Sequence, residues 1–102
     1  MESDVQIDDK RVRVTRWTLQ AGEDTGEHRH EYDYVVLPLV YGRMGIVGQD
    51  GAKTTAELSP GNCYRRHAGV QHTVRNDGAD ALVFVEVEML ESESDGENEG
   101  LN

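Results

Sequence analysis

Cysteine occurs once in this 102-residue sequence, at Cys63, and proline and lysine occur twice each. One thiol cannot close an intramolecular disulfide, and without a CxxC pair neither a zinc ribbon nor a dithiol redox site can form. Cys63 is expected to be a small buried hydrophobe. Lysine scarcity leaves ten basic residues, eight of them Arg, against twenty acids, for a net charge of -10. Nucleic-acid binding needs clustered Lys and Arg to replace counterions on phosphates, so a nucleic-acid partner is excluded, and an anionic membrane surface with it. A surface so poor in Lys is either an adaptation to high salt, where self-repulsion is screened, or that of a merely acidic soluble protein. No apolar run approaches the roughly 20 residues that a membrane-spanning helix needs, and the opening MESDVQIDDK has no apolar signal segment. A cytoplasmic protein is the expectation. Sustained 3.6-residue periodicity is missing as well, so no helix is predicted.

What is present is a series of short runs rich in β-branched and aromatic residues, broken about every ten residues by turn formers. The runs are Arg11 to Gln20, Glu31 to Tyr41, Arg43 to Val47, Thr54 to Leu58, Cys63 to Arg66, His72 to Arg75 and Ala81 to Met89. Asp50-Gly51 predicts a two-residue hairpin turn, and Pro60-Gly61 a second turn. Pro38 requires an edge, a bulge or a strand end. Regular turn spacing with no helix predicts an all-β sandwich or barrel. In the first run Val12 and Val14 share one face while Trp17 and Leu19 share the other. That change of phase implies either a bulge or a strand buried on both faces, the second as in a dimer contact. The organisation expected is a flexible acidic lead-in over 1–10, one β-barrel domain over 11–89 and a disordered acidic tail over 90–102.

The chemistry concentrates at GEDTGEHRHEYDY, Gly22 to Tyr34. His28 and His30 stand two apart, so in a strand both imidazoles point to one face and can share a metal ion. His72 opens another strand 42 residues after His30. Closing a barrel can bring these strand starts together, and three nitrogen ligands with open positions make the ligand set of a catalytic metal site.

These residues also carry a resemblance. Gly22, His28, His30 and Gly42 fall at the spacing of the first motif of the cupin superfamily, and Gly61, Gly69, His72 and Asn76 at that of the second. The resemblance spans about residues 11 to 89 and implies a cupin jelly-roll barrel. The run HRHEYDYVVLPL and the chain's size resemble small single-domain cupins assigned to β-alanine catabolism. Two positions depart from the motifs: the family's Glu falls on Tyr34 or Val35, and its Pro is replaced by His67. What remains is similar to the three-histidine set of thiol dioxygenases. The resemblance therefore implies that His28, His30 and His72 hold a divalent transition metal, Fe, Ni, Zn or Mn.

Several other side chains are candidates for binding a small polar or carboxylate substrate. Alternation puts Tyr34 on the face of His28 and His30, where it is either a hydrogen-bond donor to ligand or ordinary core, and Tyr32 is a second phenol to consider. Of Arg65 and Arg66 only one can face inward, and Arg65 is taken as the carboxylate anchor. His67 is either a pocket group or a loop residue. Two functions follow: a metal-dependent enzyme, possible chemistry including that of a dioxygenase, or a non-catalytic small-molecule-binding module. Either is expected to be a homodimer, because a small open barrel has edges for a second copy to cover.

Overall fold

Short alternating runs leave β pairing as the way to satisfy the backbone while burying one side of each strand. The computed structural model describes residues 1–90, and all nine regular elements among them are strands: β1 Glu2–Asp8, β2 Val12–Leu19, β3 His28–Arg29, β4 Tyr34–Pro38, β5 Gly42–Gly48, β6 Lys53–Leu58, β7 Tyr64–Arg66, β8 Gln71–Asn76 and β9 Leu82–Met89. They form two antiparallel sheets, one ordered β1-β2-β9-β4-β7 and the other β3-β8-β5-β6. No described helix is long and apolar enough to cross a membrane. The expected acidic tail lies outside the described residues, apart from Leu90.

Between the sheets lies a core of Leu19, Tyr34, Val36, Met44, Leu58, Val74, Leu82 and Phe84, all buried. Residues paired across strands share a face, so the pairs of β9 with Thr15, Trp17 and Leu19 on one side and with Tyr34, Val36 and Pro38 on the other define the inner surface of the five-stranded sheet. The alternate residues Val12, Val14, Val35, Val85 and Val87 form its outer surface and are only half-buried. That accounts for the change of phase in the first run. β2 keeps an unbroken register with β9 and has apolar neighbours on both faces, while the irregularity sits in β1, between Val5 and Ile7.

Three expectations are corrected, and the one for Pro38 holds. The lead-in is a strand, because β1 pairs along β2 although all seven of its residues are exposed. Backbone pairing does not require buried side chains, and acidic residues are suited to an outermost strand. The Asp50-Gly51 turn is wider than two residues: Gly51 has positive φ but, among the described residues, no non-glycine residue does. A two-residue type I′ turn needs both central residues there, so Gly48 and Ala52 close a longer loop, with the Gly48 N–H donating to the Ala52 carbonyl at 2.8 Å. β4 stops at Pro38, which satisfies proline by ending the strand. Cys63 is exposed, one residue before β7 begins.

Candidate metal centre and its cavity

The pairing of β3 with β8 sets His28 directly opposite His72. His30 lies one residue beyond β3, and its backbone is held from the facing loop: its N–H donates to the Val70 carbonyl at 2.9 Å and its carbonyl accepts from the Gly69 N–H at 2.8 Å. Gly69 sits at φ 99°, a conformation that side chains disfavour, so a glycine here lets the loop return toward His30. The motif Asn76, buried at the end of β8, donates to the carbonyls of Leu19 and Asp80, each at 2.9 Å, and accepts from the Gly78 N–H. Asn76 is thus a structural brace that ties β8 to the end of β2.

The three imidazoles converge. Ring centroids are 4.8 Å apart for His28 and His30, 4.8 Å for His28 and His72, and 5.2 Å for His30 and His72. Nε2 of His28 and Nε2 of His30 are 3.1 Å apart. Two nitrogens on one ion, each at about 2.1 Å with an angle of about 90 to 109° between the bonds, would be separated by about 3.0 to 3.4 Å, so the donor set fits a shared metal. The local chain also fixes which nitrogen is free. His28 Nδ1 lies 3.0 Å from the Gly26 carbonyl, which can only accept, so Nδ1 carries the hydrogen and Nε2 keeps its lone pair. Thr25 supports that loop by accepting from the Val74 N–H and donating to the Gly26 carbonyl. Burial first, then the His28 charge, hold His30 and His72 down to about 4, so both are neutral at neutral pH, as ligands must be.

Tyr34 does not replace the missing carboxylate. Its ring is stacked on His30, with centroids 3.9 Å apart and planes 19° from parallel, and burial raises its phenol above the ordinary range. Tyr32 lines the cavity. Asp33 accepts from the Ala68 N–H, so it holds the loop before β8.

Two of the expected substrate residues, Arg65 and His67, do not line the cavity beside His28 and His30. Arg65 pairs with Val35 and therefore belongs to the outer face, whereas Arg66 pairs with Tyr34 and has the inner parity. An exposed Arg66 lies over the Tyr64 ring, 5.4 Å from its centroid. His67 is a loop residue with its side chain 80% exposed and Nδ1 3.9 Å from Asp33. The reason is parity in the first case and, in the second, that β7 ends at Arg66 before reaching the cavity.

A cavity of about 440 Å³ adjoins His28 and His30, and its far wall was not anticipated. β2 contributes Arg13, Thr15 and Trp17, and β9 contributes Phe84, Glu86 and Glu88. Arg13 grips Glu88 with a two-pronged contact, Nε to Oε1 at 2.8 Å and Nη2 to Oε2 at 3.1 Å. Trp17 Nε1 donates to Glu86 Oε1 at 3.2 Å. Burial and then the neighbouring Glu88 charge push the Glu86 carboxyl up to about 7, against a lowering by the Trp17 hydrogen bond. A signal was available: in LVFVEVEM the two acids fall on the parity of Leu82 and Phe84, the face that a two-layer barrel turns inward.

Residues 15–88 match the cupin domain. This chain belongs to the cupin family. It is 45% identical to the β-alanine degradation protein BauB of Pseudomonas aeruginosa over 85 residues, covering 83% of this chain and 88% of that protein. A cupin domain protein from Bordetella pertussis is 42% identical, with a TM-score of 0.82 over 86% of this chain and 91% of the other. The polyketide cyclase RemF from Streptomyces resistomycificus is 25% identical, with a TM-score of 0.69 over 87% of this chain and 64% of its own. In this cupin, then, three imidazoles converge beside a cavity that His28 and His30 line and whose other wall carries carboxylates.

Proposed function

We propose that this cupin is a metal-dependent enzyme acting on a small polar or carboxylate substrate, with His28, His30 and His72 holding a divalent transition metal. The observation that carries it is the convergence of the three imidazoles, whose ligand nitrogens lie within 4.8 Å of one another. Iron, nickel, zinc or manganese would each be compatible with three nitrogen donors, and the ion would supply Lewis-acid or, if redox-active, oxygen chemistry. The chain's own residues do the rest. Gly26 and Thr25 keep the His28 Nε2 lone pair directed at the other two rings, Tyr34 holds the plane of His30, and Trp17 and Phe84 give the cavity an apolar wall against water. Similarity to BauB supports a small, polar substrate.

Metal analysis of protein purified without added metal, then reconstituted with each of the four ions, tests this reading. About one equivalent of one ion is expected, with His72→Ala lowering it at least tenfold. Less than about a tenth of an equivalent of every ion, before and after reconstitution, would refute it. A second reading is favoured by one observation: the 3.1 Å contact of the two Nε2 atoms also suits a direct N–H···N hydrogen bond. In that case the barrel is a binding module that works without metal.

The functional unit proposed is a cytoplasmic homodimer. Val14, Val87 and Val35 form a row across the outer face of the five-stranded sheet, flanked by Val85 and Leu37, and a second copy would cover it. Neither nucleic acid nor membrane is a partner in this reading, because the charge of -10 opposes both.

A further inference from the structure

Two carboxylates from β9 reach the same cavity and are treated differently. Glu88 is paired with the Arg13 fork. Glu86 receives one hydrogen bond, from Trp17 to Oε1, and among the described residues it has no ion pair and no donor to its Oε2. A half-buried carboxylate oxygen that lines a ligand-sized cavity and lacks a partner is free to interact with whatever occupies that cavity.

We propose that Glu86 is the proton-exchanging residue of this cavity, its free oxygen taking a proton from a weakly acidic O–H or N–H group of the bound ligand and returning it. This deepens the reading of the histidine cavity as a ligand site and rests on it. In the forward step the ligand's O–H or N–H bond breaks, the electron pair stays on the ligand, and the proton moves to Oε2 to give a neutral carboxylic acid. The reverse step restores the carboxylate when the ligand leaves, so no oxidant or reductant is required. The groups that face Glu86 set its behaviour. Glu88 beside it on β9 opposes its ionisation, and Arg13 on β2 is committed to Glu88. Tyr34 on β4 and Tyr64 on β7 are held above the ordinary phenol range by burial, so neither competes as a base. His28 and His30 line the same cavity. A carboxyl pushed up to about 7 exchanges protons close to neutrality, where acid and base forms are both available.

Proton counting tests the proposal. Acetohydroxamate, a small metal-binding acid with a weakly acidic O–H, is titrated into zinc-loaded wild-type protein and into Glu86→Gln at about pH 8 in buffers of different ionisation enthalpy. Gln keeps the acceptor for Trp17 but cannot take a proton. Wild type is expected to release about one proton per site fewer than Glu86→Gln, and equal release overturns the proposal. If the probe binds neither protein, zinc content shows whether the metal reading has failed. Glu86 is then judged from the fluorescence of Trp17, the single tryptophan. A transition near neutrality in wild type, missing from Glu86→Gln, supports the proposal, and no transition overturns it. If Glu86→Gln does not fold, wild-type infrared spectra decide: growth of a protonated-carboxyl band on adding the probe supports the proposal, and an unchanged band, or no binding, overturns it.

Discussion

At the residue scale, Glu86 makes the stability of the folded chain depend on pH in an unusual sense. Its folded value of about 7 lies above the ordinary 4.5, so between those values the folded chain keeps a proton that the unfolded chain has lost. The stability tied to this group is therefore complete below about pH 4.5 and is lost as pH rises through about 7. Each unit of difference is worth about 1.4 kcal/mol, and partial solvent exposure reduces the sum. Glu86→Gln is expected to be more stable than wild type by about 1–2 kcal/mol at pH 8, with the gap closing toward pH 5. Urea unfolding at the two pH values checks this, and an equal gap at both would contradict it. Tyr34 offers a second contrast. Phe keeps the ring that stacks on His30, so Tyr34→Phe should leave metal content unchanged, while Tyr34→Ala removes a buried ring and should cost about 3–5 kcal/mol. Thermal melts together with metal analysis separate the two.

At the scale of elements, Asn76 joins β8, the end of β2 and the turn before β9 through three hydrogen bonds from one side chain. Asn76→Ala leaves the Leu19 and Asp80 carbonyls without their donor, and each buried unsatisfied group costs about 1–3 kcal/mol. A loss of about 2–4 kcal/mol in denaturant unfolding is expected, and a loss below about 0.5 kcal/mol would show that Asn76 is no brace. Most strands were legible because alternation and turn residues are local: β5, β6, β8 and β9 begin and end within one residue or so of where the runs predict. β1 was not legible, because its acidic, exposed side chains carry no signal of burial and only β2's free edge makes it a strand. The histidine triad was legible from spacing, since β3 and β8 need only pair in register to join it. The far wall was not, because the grip of Arg13 on Glu88 links residues 75 apart, a pairing that sequence distance hides. For Arg65 and Arg66, alternation showed that one faces inward, but only the register against β4 decides which.

For the whole molecule, acids exceed bases by ten, while pairs such as Arg43–Glu57 at 2.7 Å and Arg75–Asp77 at 3.3 Å are exposed and contribute little. Raising salt from about 0.1 to 1 M shortens the screening length from about 10 to 3 Å. The melting temperature should rise by a few degrees, and a flat or falling one would mean that self-repulsion is not a significant load. The outer valine face is tested at the same scale. Val87→Lys places a charge in the middle of the row and should convert a dimer to a monomer in sedimentation, whereas an unchanged mass would locate any interface elsewhere. The wall made by β1 has a different consequence. Ser3 and Val5 of β1 line the cavity, with Met1 just before them, yet β1 buries no side chain and is attached along one edge only. Peeling it away uncovers only the covered halves of Val5 and Ile7 and no fully buried side chain of its own, so it is the wall expected to open at least cost. Amide hydrogens of β1 should exchange far faster than those of β9, and a ligand that fills the cavity should slow them first.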